Sequence, residues 1–375
     1  MSRDNRRGFA LAGAVFGLVI IAVLVSGAFF VARQEMSMGR SSRTFASAFE
    51  AAEAGLNRTI ADWNTTAYNG LVVGDSALDS MVLSNSARWV SNVRRLNPEM
   101  FLIRVTGRDP TLTATRTVAA LSRLQFIAMD IQAGLTTRGE LKLGGSSFID
   151  GVDGAPSSWG CPTPNDTLAG VLTSDSSSIQ TSGCRSYNCI RGAPKIQQDP
   201  TINDSTFFKF GDLDWNELVA MATLIYPVGD IGPLNGIGPV GTATTCNTAN
   251  TNNWGEPRRP ATVAGCTGYF PIIYVNGNLK LSGGIGQGIL LVEGNLDVQG
   301  GFEFYGPVIV RGTLTTQGTG GHFNGGVLAA NANLDLSSVL GDAIINYSSC
   351  AIARALNANS PGRLISQRSW AEVIQ

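Results

Sequence analysis

The chain has 375 residues, of which 27 are basic and 28 acidic. A charge this balanced argues against a nucleic-acid binder driven by phosphate neutralisation. Charged residues make up only 15% and glycine reaches 45 residues without a three-residue period, which excludes collagen and fits a turn-rich, mainly β surface protein.

Residues 8–32 form a run of 25 without a charge. As a helix this run extends about 38 Å, enough to cross a bilayer core, whereas the apolar core of a secretory signal is about 7–15 residues long. Arg3, Arg6 and Arg7 precede it against Asp4 alone, which keeps the N-terminus cytoplasmic. Arg33, Arg40 and Arg43 on the far side weaken that bias without reversing it. The helical pattern outlasts the span. Phe45, Phe49, Ala52, Leu56, Ile60 and Trp63 follow at three- and four-residue steps, giving one apolar stripe. A single helix over residues 9–64 is predicted, its first half in lipid and its second half laid on a partner surface. Glu50 and Glu53 read as solvated.

On these residues the chain resembles a known family. The leader "RRGFALAG" is similar to that of type IV prepilins, and "AFEAAEAGLN" (residues 48–57) resembles the end of the N-terminal helix in PilX-type minor pilins. The resemblance covers about residues 1–64. It implies a leader, residues 1–8, cut by a prepilin peptidase after Gly8, with Phe9 as the N-methylated new terminus. It implies that the helix then leaves the inner membrane lipid for a filament core, among other pilin subunits and the pilus assembly machinery. The filament-core candidates are Gly13, Phe45, Phe49, Leu56 and Trp63. Most pilins carry glutamate as the fifth mature residue, and Gly13 stands there instead. A carboxylate in lipid is expensive and is kept for a partner. Its absence tilts the reading towards a rare or tip-located subunit, and keeps a permanent, uncleaved anchor as the alternative.

Residues 65–128 read as a small β-hairpin region. Residues 101–106 and 113–121 are rich in β-formers, with Gly107, Asp109 and Pro110 between them, while residues 71–95 fit helix or strand. Residues 129–352 read as a β-solenoid (parallel β-helix-like) head. Leu279, Leu296, Leu314 and Leu334 recur 17, 18 and 20 residues apart. Leu281, Val298, Thr316 and Leu336 stand two positions on, and Lys280, Asp297, Thr315 and Asp335 lie between. That is inward–outward alternation repeated once per coil, with Gly277, Gly294 and Gly312 at bends. Leu141, Lys142 and Leu143 form an earlier copy. An insertion over residues 152–269 is predicted to interrupt the coils. It includes a helix in "DWNELVAMATLI", opened by an Asp214–Glu217 capping box. Residues 353–375 read as a short terminal helix or tail. The fold class is therefore α+β, mainly β: a long transmembrane and amphipathic helix, a hairpin region, and a C-terminal solenoid with a disulfide-containing insertion.

Cys161, Cys184, Cys189, Cys246, Cys266 and Cys350 all fall on the extracytoplasmic side, where an even count reads as disulfides. Six cysteines allow 15 pairings. Cys246–Cys266 is the preferred local bridge, and Cys350 is expected to tie the last rung to another cysteine. Zinc is not expected, because the only histidine is His322 and the cysteines are scattered. No cofactor is expected and no catalytic set persuades. "GGIGQG" lacks the Lys-Ser/Thr of a phosphate loop, and Glu293, Asp297, Glu303 and Asp335 read as solvated face. The expected role is a non-enzymatic subunit in pilus assembly and surface adhesion, membrane-inserted first and displayed on a filament later. The alternatives are a membrane-anchored β-solenoid enzyme or binding protein acting on polysaccharide, and a bactofilin-like cytoplasmic scaffold.

Overall fold

The computed structural model describes residues 7–125, 129–162, 166–210, 213–334, 342–365 and 370–373. Asp335 and Leu336 lie outside these, as do the side chains of Phe9, Ala332 and Leu334. The chain divides into two compact units.

The first unit holds Met1–Trp63, Val73–Arg123 and Arg363–Gln375. Helix α1 runs over Arg7–Ala61. Its later turns lie on an antiparallel sheet of β1 (Ser76–Val82), β2 (Arg88–Arg95), β3 (Met100–Arg108) and β4 (Thr115–Leu124). The segment left open between helix and strand is thus β1 and β2, and the predicted hairpin is β3–β4. Along β3 the alternation is clean: Phe101, Ile103 and Val105 are buried while Arg104 and Arg108 are exposed. One face covers the helix and the other meets water. The end of the chain departs from a simple tail. Trp370–Val373 pairs antiparallel with β4, placing Trp370 opposite Ala120 and Glu372 opposite Val118.

Asp109 closes the β3–β4 connection. Its carboxylate accepts bonds from the amides of Ala114 at 2.7 Å and Thr111 at 3.0 Å, and from the Thr111 hydroxyl. That hydroxyl, helped by the amides, holds the Asp109 pKa down at about 2 against the opposing effect of burial. A depressed carboxylate stabilises the fold above its ordinary pKa and loses that contribution as pH falls through the folded value. The turn is therefore expected to hold through pH 4 and to loosen as pH approaches 2. Amide exchange on Thr111 to Ala114 should report this, and Asp109→Asn should remove the pH dependence.

The second unit holds Asn64–Val72 and Leu124–Gly362. Here most of the short strands pair in parallel with strands that precede or follow them in the chain, in sets of three that we call turns, while Lys209–Phe210 pairs antiparallel with Leu213–Asp214. One such turn is Ile285–Gln287, Ile289–Val292 and Leu296–Gln299. Equivalent side chains stack in ladders. On one face Leu224, Ile273, Leu290, Val308, Val327, Leu135, Val171 and Ile196 are successive partners. On the next, Leu279, Leu296, Leu314, Ala332, Leu141 and Ile179 are. Apart from Ala332, whose side chain lies outside those described, and Ile196, which packs against them, these residues form one apolar core.

Three features differ from the sequence expectation. First, the predicted insertion 152–269 contains rungs at both of its ends. Ala169–Thr173 and Ile179–Thr181 stack on Ala133–Thr137 and Leu141–Leu143, while Leu224–Ile225 and Ile231–Leu234 stack on Ile272–Val275 and Leu279–Ser282. Residues 199–222 carry the chain from one end of the stack to the other. Second, the rung after Leu314 is shifted by two residues: Ala332 stands opposite Leu314, and Leu334 opposite Thr316. A two-residue slip leaves the inward–outward pattern intact, so alternation alone does not expose it. Third, the capping box forms, with Glu217 N to Asp214 Oδ1 and Asp214 N to Glu217 Oε2 both at 2.9 Å, but the helix spans only Trp215–Ala220.

The corner between two of the faces explains the Gly-Asn steps. Asn278 Oδ1 accepts from Asn295 N at 2.7 Å, Asn295 Oδ1 from Thr313 N at 2.8 Å, and Asn331 Oδ1 from Glu140 N at 3.1 Å. A Cβ at Gly294 or Gly312 would lie 2.5 Å from the asparagine oxygen of the adjoining turn. Glycine leaves the space each asparagine needs to reach the next amide.

Candidate functional site

The feature that stands apart is α1, whose two halves differ in environment. From Leu11 to Phe30 the large apolar side chains are exposed around the helix, Leu11 by 73% and Phe30 by 69%. The stretch Gly13–Ala61 contains a window of mean hydropathy 2.8, none of it buried in the protein, so the helix is long and apolar enough to cross a membrane. Gly13 is exposed and has open space about it.

The later half is joined to the sheet. Ala48, Ala51, Ala52, Gly55 and Leu56 are buried. Gly107 on β3 comes so close that a Cβ there would lie 2.2 Å from Ala48 O and 2.4 Å from Ala52 N. A Cβ at Gly55 would lie 2.6 Å from the Trp89 ring. The small residues of "AAEAGL" thus allow backbone to approach backbone. The predicted stripe underrated them. Their signal was present as Ala or Gly at positions 48, 51, 52 and 55, the spacing of one helix face.

Four of the five large stripe residues, those named as filament-core candidates, are placed as follows. Phe45 is 41% exposed, with the Arg116 guanidinium 4.7 Å from its ring centre. Phe49 is half-buried and meets Trp370 edge-on at 6.0 Å. Leu56 is buried, and Trp63 packs edge-on against Phe101 at 5.2 Å. Gly8 and Phe9 lie in the first turns of α1.

The acidic candidates of the second unit do not converge. Glu293 is ion-paired with Arg311, and Asp297 with Lys280 at 3.3 Å. Glu303 takes a 3.4 Å contact from the Tyr305 hydroxyl and stands opposite His322. His322 Nε2 lies 3.1 Å from the Asp342 carbonyl. Among the described residues no group of three His, Cys, Asp or Glu side chains is arranged to hold a metal ion. The six cysteines form Cys161–Cys350, Cys184–Cys189 and Cys246–Cys266.

Sequence reading also missed a second apolar core. Ile289, Leu291, Ile309, Leu328 and Leu172 point outward from the first face, yet they are buried. Phe207, Phe210, Trp215 and Leu218 of the crossing segment cover them, together with Ala351, Ile352, Ala355 and Leu356 of helix Ser349–Asn359. Uninterrupted apolar runs such as Ile289–Val292 mark strands buried on both sides.

No protein-family model matches this chain, and no curated protein matches it in sequence. Among solved structures, the competence-associated pilin ComZ from Thermus thermophilus aligns over 88% of this chain and 98% of its own, at 11% identity and a TM-score of 0.24.

Proposed function

We propose that this chain is a structural subunit of a type IV pilus or related filament, of the PilX-like minor pilin or pseudopilin kind. The observation that carries the reading is the division of α1. One half is apolar all round and bare, and the other is held against a sheet by a face of small residues. A bare apolar helix is stable only in lipid or among other helices. In this reading α1 first anchors the chain in the inner membrane, with the N-terminus cytoplasmic. A prepilin peptidase cuts after Gly8, Phe9 becomes the N-methylated terminus, and the helix moves into a filament core. Gly13 leaves that core without a buried carboxylate to pair with a neighbour, which suits a rare or tip-located position. The parallel rungs of the second unit are read as a β-solenoid head displayed for contact with other subunits or surfaces. The role is assembly, with no turnover.

Mass spectrometry of the N-terminal peptide from native cells tests this directly. The expected result is a chain beginning at methylated Phe9 and recovered in sheared filaments. A chain beginning at Met1 or Ser2 and absent from filament fractions would overturn it.

A further inference from the structure

The near-zero net charge conceals an asymmetry between the two units. The first unit's segments carry 16 basic and 10 acidic residues, the second unit's 11 and 18. Within the sheet of the first unit, four of these charges share one surface. The sheet face turned away from α1 presents Arg88 and Arg94 from β2 and Arg104 and Arg108 from β3, all exposed. Strand pairing sets Arg88 directly opposite Arg108, Arg104 opposite Asn92, and Arg94 opposite Leu102. The other residues of this face in register with them are Ser76, Leu78, Ser80 and Val82 on β1, Val90 on β2, Thr106 on β3, and Thr115, Thr117, Ala119 and Leu121 on β4. None is acidic. Among the described residues none of the four arginines has a carboxylate within ion-pair distance. Like charges placed opposite each other destabilise a sheet, so fold stability does not account for this arrangement.

The second unit offers the complementary chemistry. Asp175 is bonded by Ser177, Asp199 by Thr201 and Asp130 by Gln132, with no cation in ion-pair distance among the described residues. The hydroxyls of Ser177 and Thr201 lower the pKa of Asp175 and Asp199, keeping both ionised. Asp130 and Asp199 line one cleft, where Lys209 is also present. Ser176 Oγ bonds Gln198 Oε1 at 2.7 Å, which brings the Asp175 turn beside Asp199.

We propose that the arginine face of the first unit docks on the surface around Asp130, Asp175 and Asp199 in the second unit of another copy of this chain. Guanidinium pairs with carboxylate in a planar fork, which gives register as well as attraction. A free polyanion such as heparin is the alternative occupant of the same guanidinium groups, and the test below separates the two. The contact is heterologous, so repeating it builds a ring or an open array. It goes beyond the proposed assembly role and does not depend on leader cleavage.

The test uses the full chain in non-ionic detergent, with self-association measured by sedimentation velocity. Association is expected at about 0.05 M salt and to be lost near 1 M, where the screening length is about 3 Å. Arg88→Glu/Arg108→Glu should weaken it by about tenfold or more, as should Asp175→Lys/Asp199→Lys. Mixing the two variants should restore it, because each then offers the surface the other lacks. Arg88→Gln/Arg108→Gln should give an intermediate loss and serves if the reversed pair fails to fold. Retention of the same variants on immobilised heparin is measured alongside; salt-insensitive association, failure of the mixture to recover, or loss of heparin retention with self-association unchanged would each overturn the proposal.

Discussion

Gly107→Ala is expected to lower the stability of the first unit by about 3 kcal/mol or more, the upper end of what overpacking costs. The added methyl would lie 2.2 Å from a carbonyl oxygen and 2.4 Å from an amide nitrogen of α1. Both are backbone atoms inside a helix, so neither can rotate away. The helix must lift from β3, separating Ala48 and Ala52 from the sheet and loosening Trp89 in the same core. Trp89 is 1% exposed, so its fluorescence should shift red and its unfolding midpoint should fall. Gly39→Ala supplies the opposite sign. That position lies within α1 with open space around it, and alanine there should raise helix stability by about 1 kcal/mol. Equal effects at the two glycines would show that close approach is not what Gly107 provides.

The second large effect concerns the disulfides, whose removal should cost stability in the order of the loops they close. Chain-entropy reasoning gives about 5 kcal/mol for Cys161–Cys350, about 3 for Cys246–Cys266 and about 2 for Cys184–Cys189, at separations of 189, 20 and 5 residues. Cys161–Cys350 has a further role. It ties the loop after the first rung to the start of helix Ser349–Asn359, which covers the outer apolar side of the rungs. Paired Cys→Ser variants, compared by urea unfolding, should show Cys161→Ser/Cys350→Ser as the most damaging. If the short Cys184–Cys189 loop proved the costliest to open, loop entropy would not be the governing quantity.

Local chemistry made much of this molecule legible. An uncharged run of 25 residues must lie in an apolar phase or beside other apolar surface, so the bare half of α1 was foreseeable. The β3–β4 hairpin announced itself through alternation and through Gly107, Asp109 and Pro110. The recurrence of Leu279, Leu296 and Leu314 disclosed strands that pair in parallel, because parallel pairing in register sets equivalent side chains beside one another. Cys246–Cys266 was named from the sequence as a local bridge, whereas the still closer Cys184–Cys189 was not.

Other features required the folded chain. Alternation records which side of a strand faces inward but is blind to a slip of two residues, so only the pairing of Ala332 with Leu314 decides the register there. The turn containing Leu141 stacks on the turn containing Ala332, nearly 200 residues later in the chain. Nothing local specifies that order, because every rung offers the same apolar ladder and only the route of residues 199–222 selects the neighbours. Likewise, alanine and glycine in α1 read as ordinary helix content until Gly107 arrives against them. The strand Trp370–Val373 is too short to declare itself before β4 supplies an edge. Sequence determined which residues must leave water; tertiary structure decided against what, because that depends on contacts whose partners lie far apart along the chain.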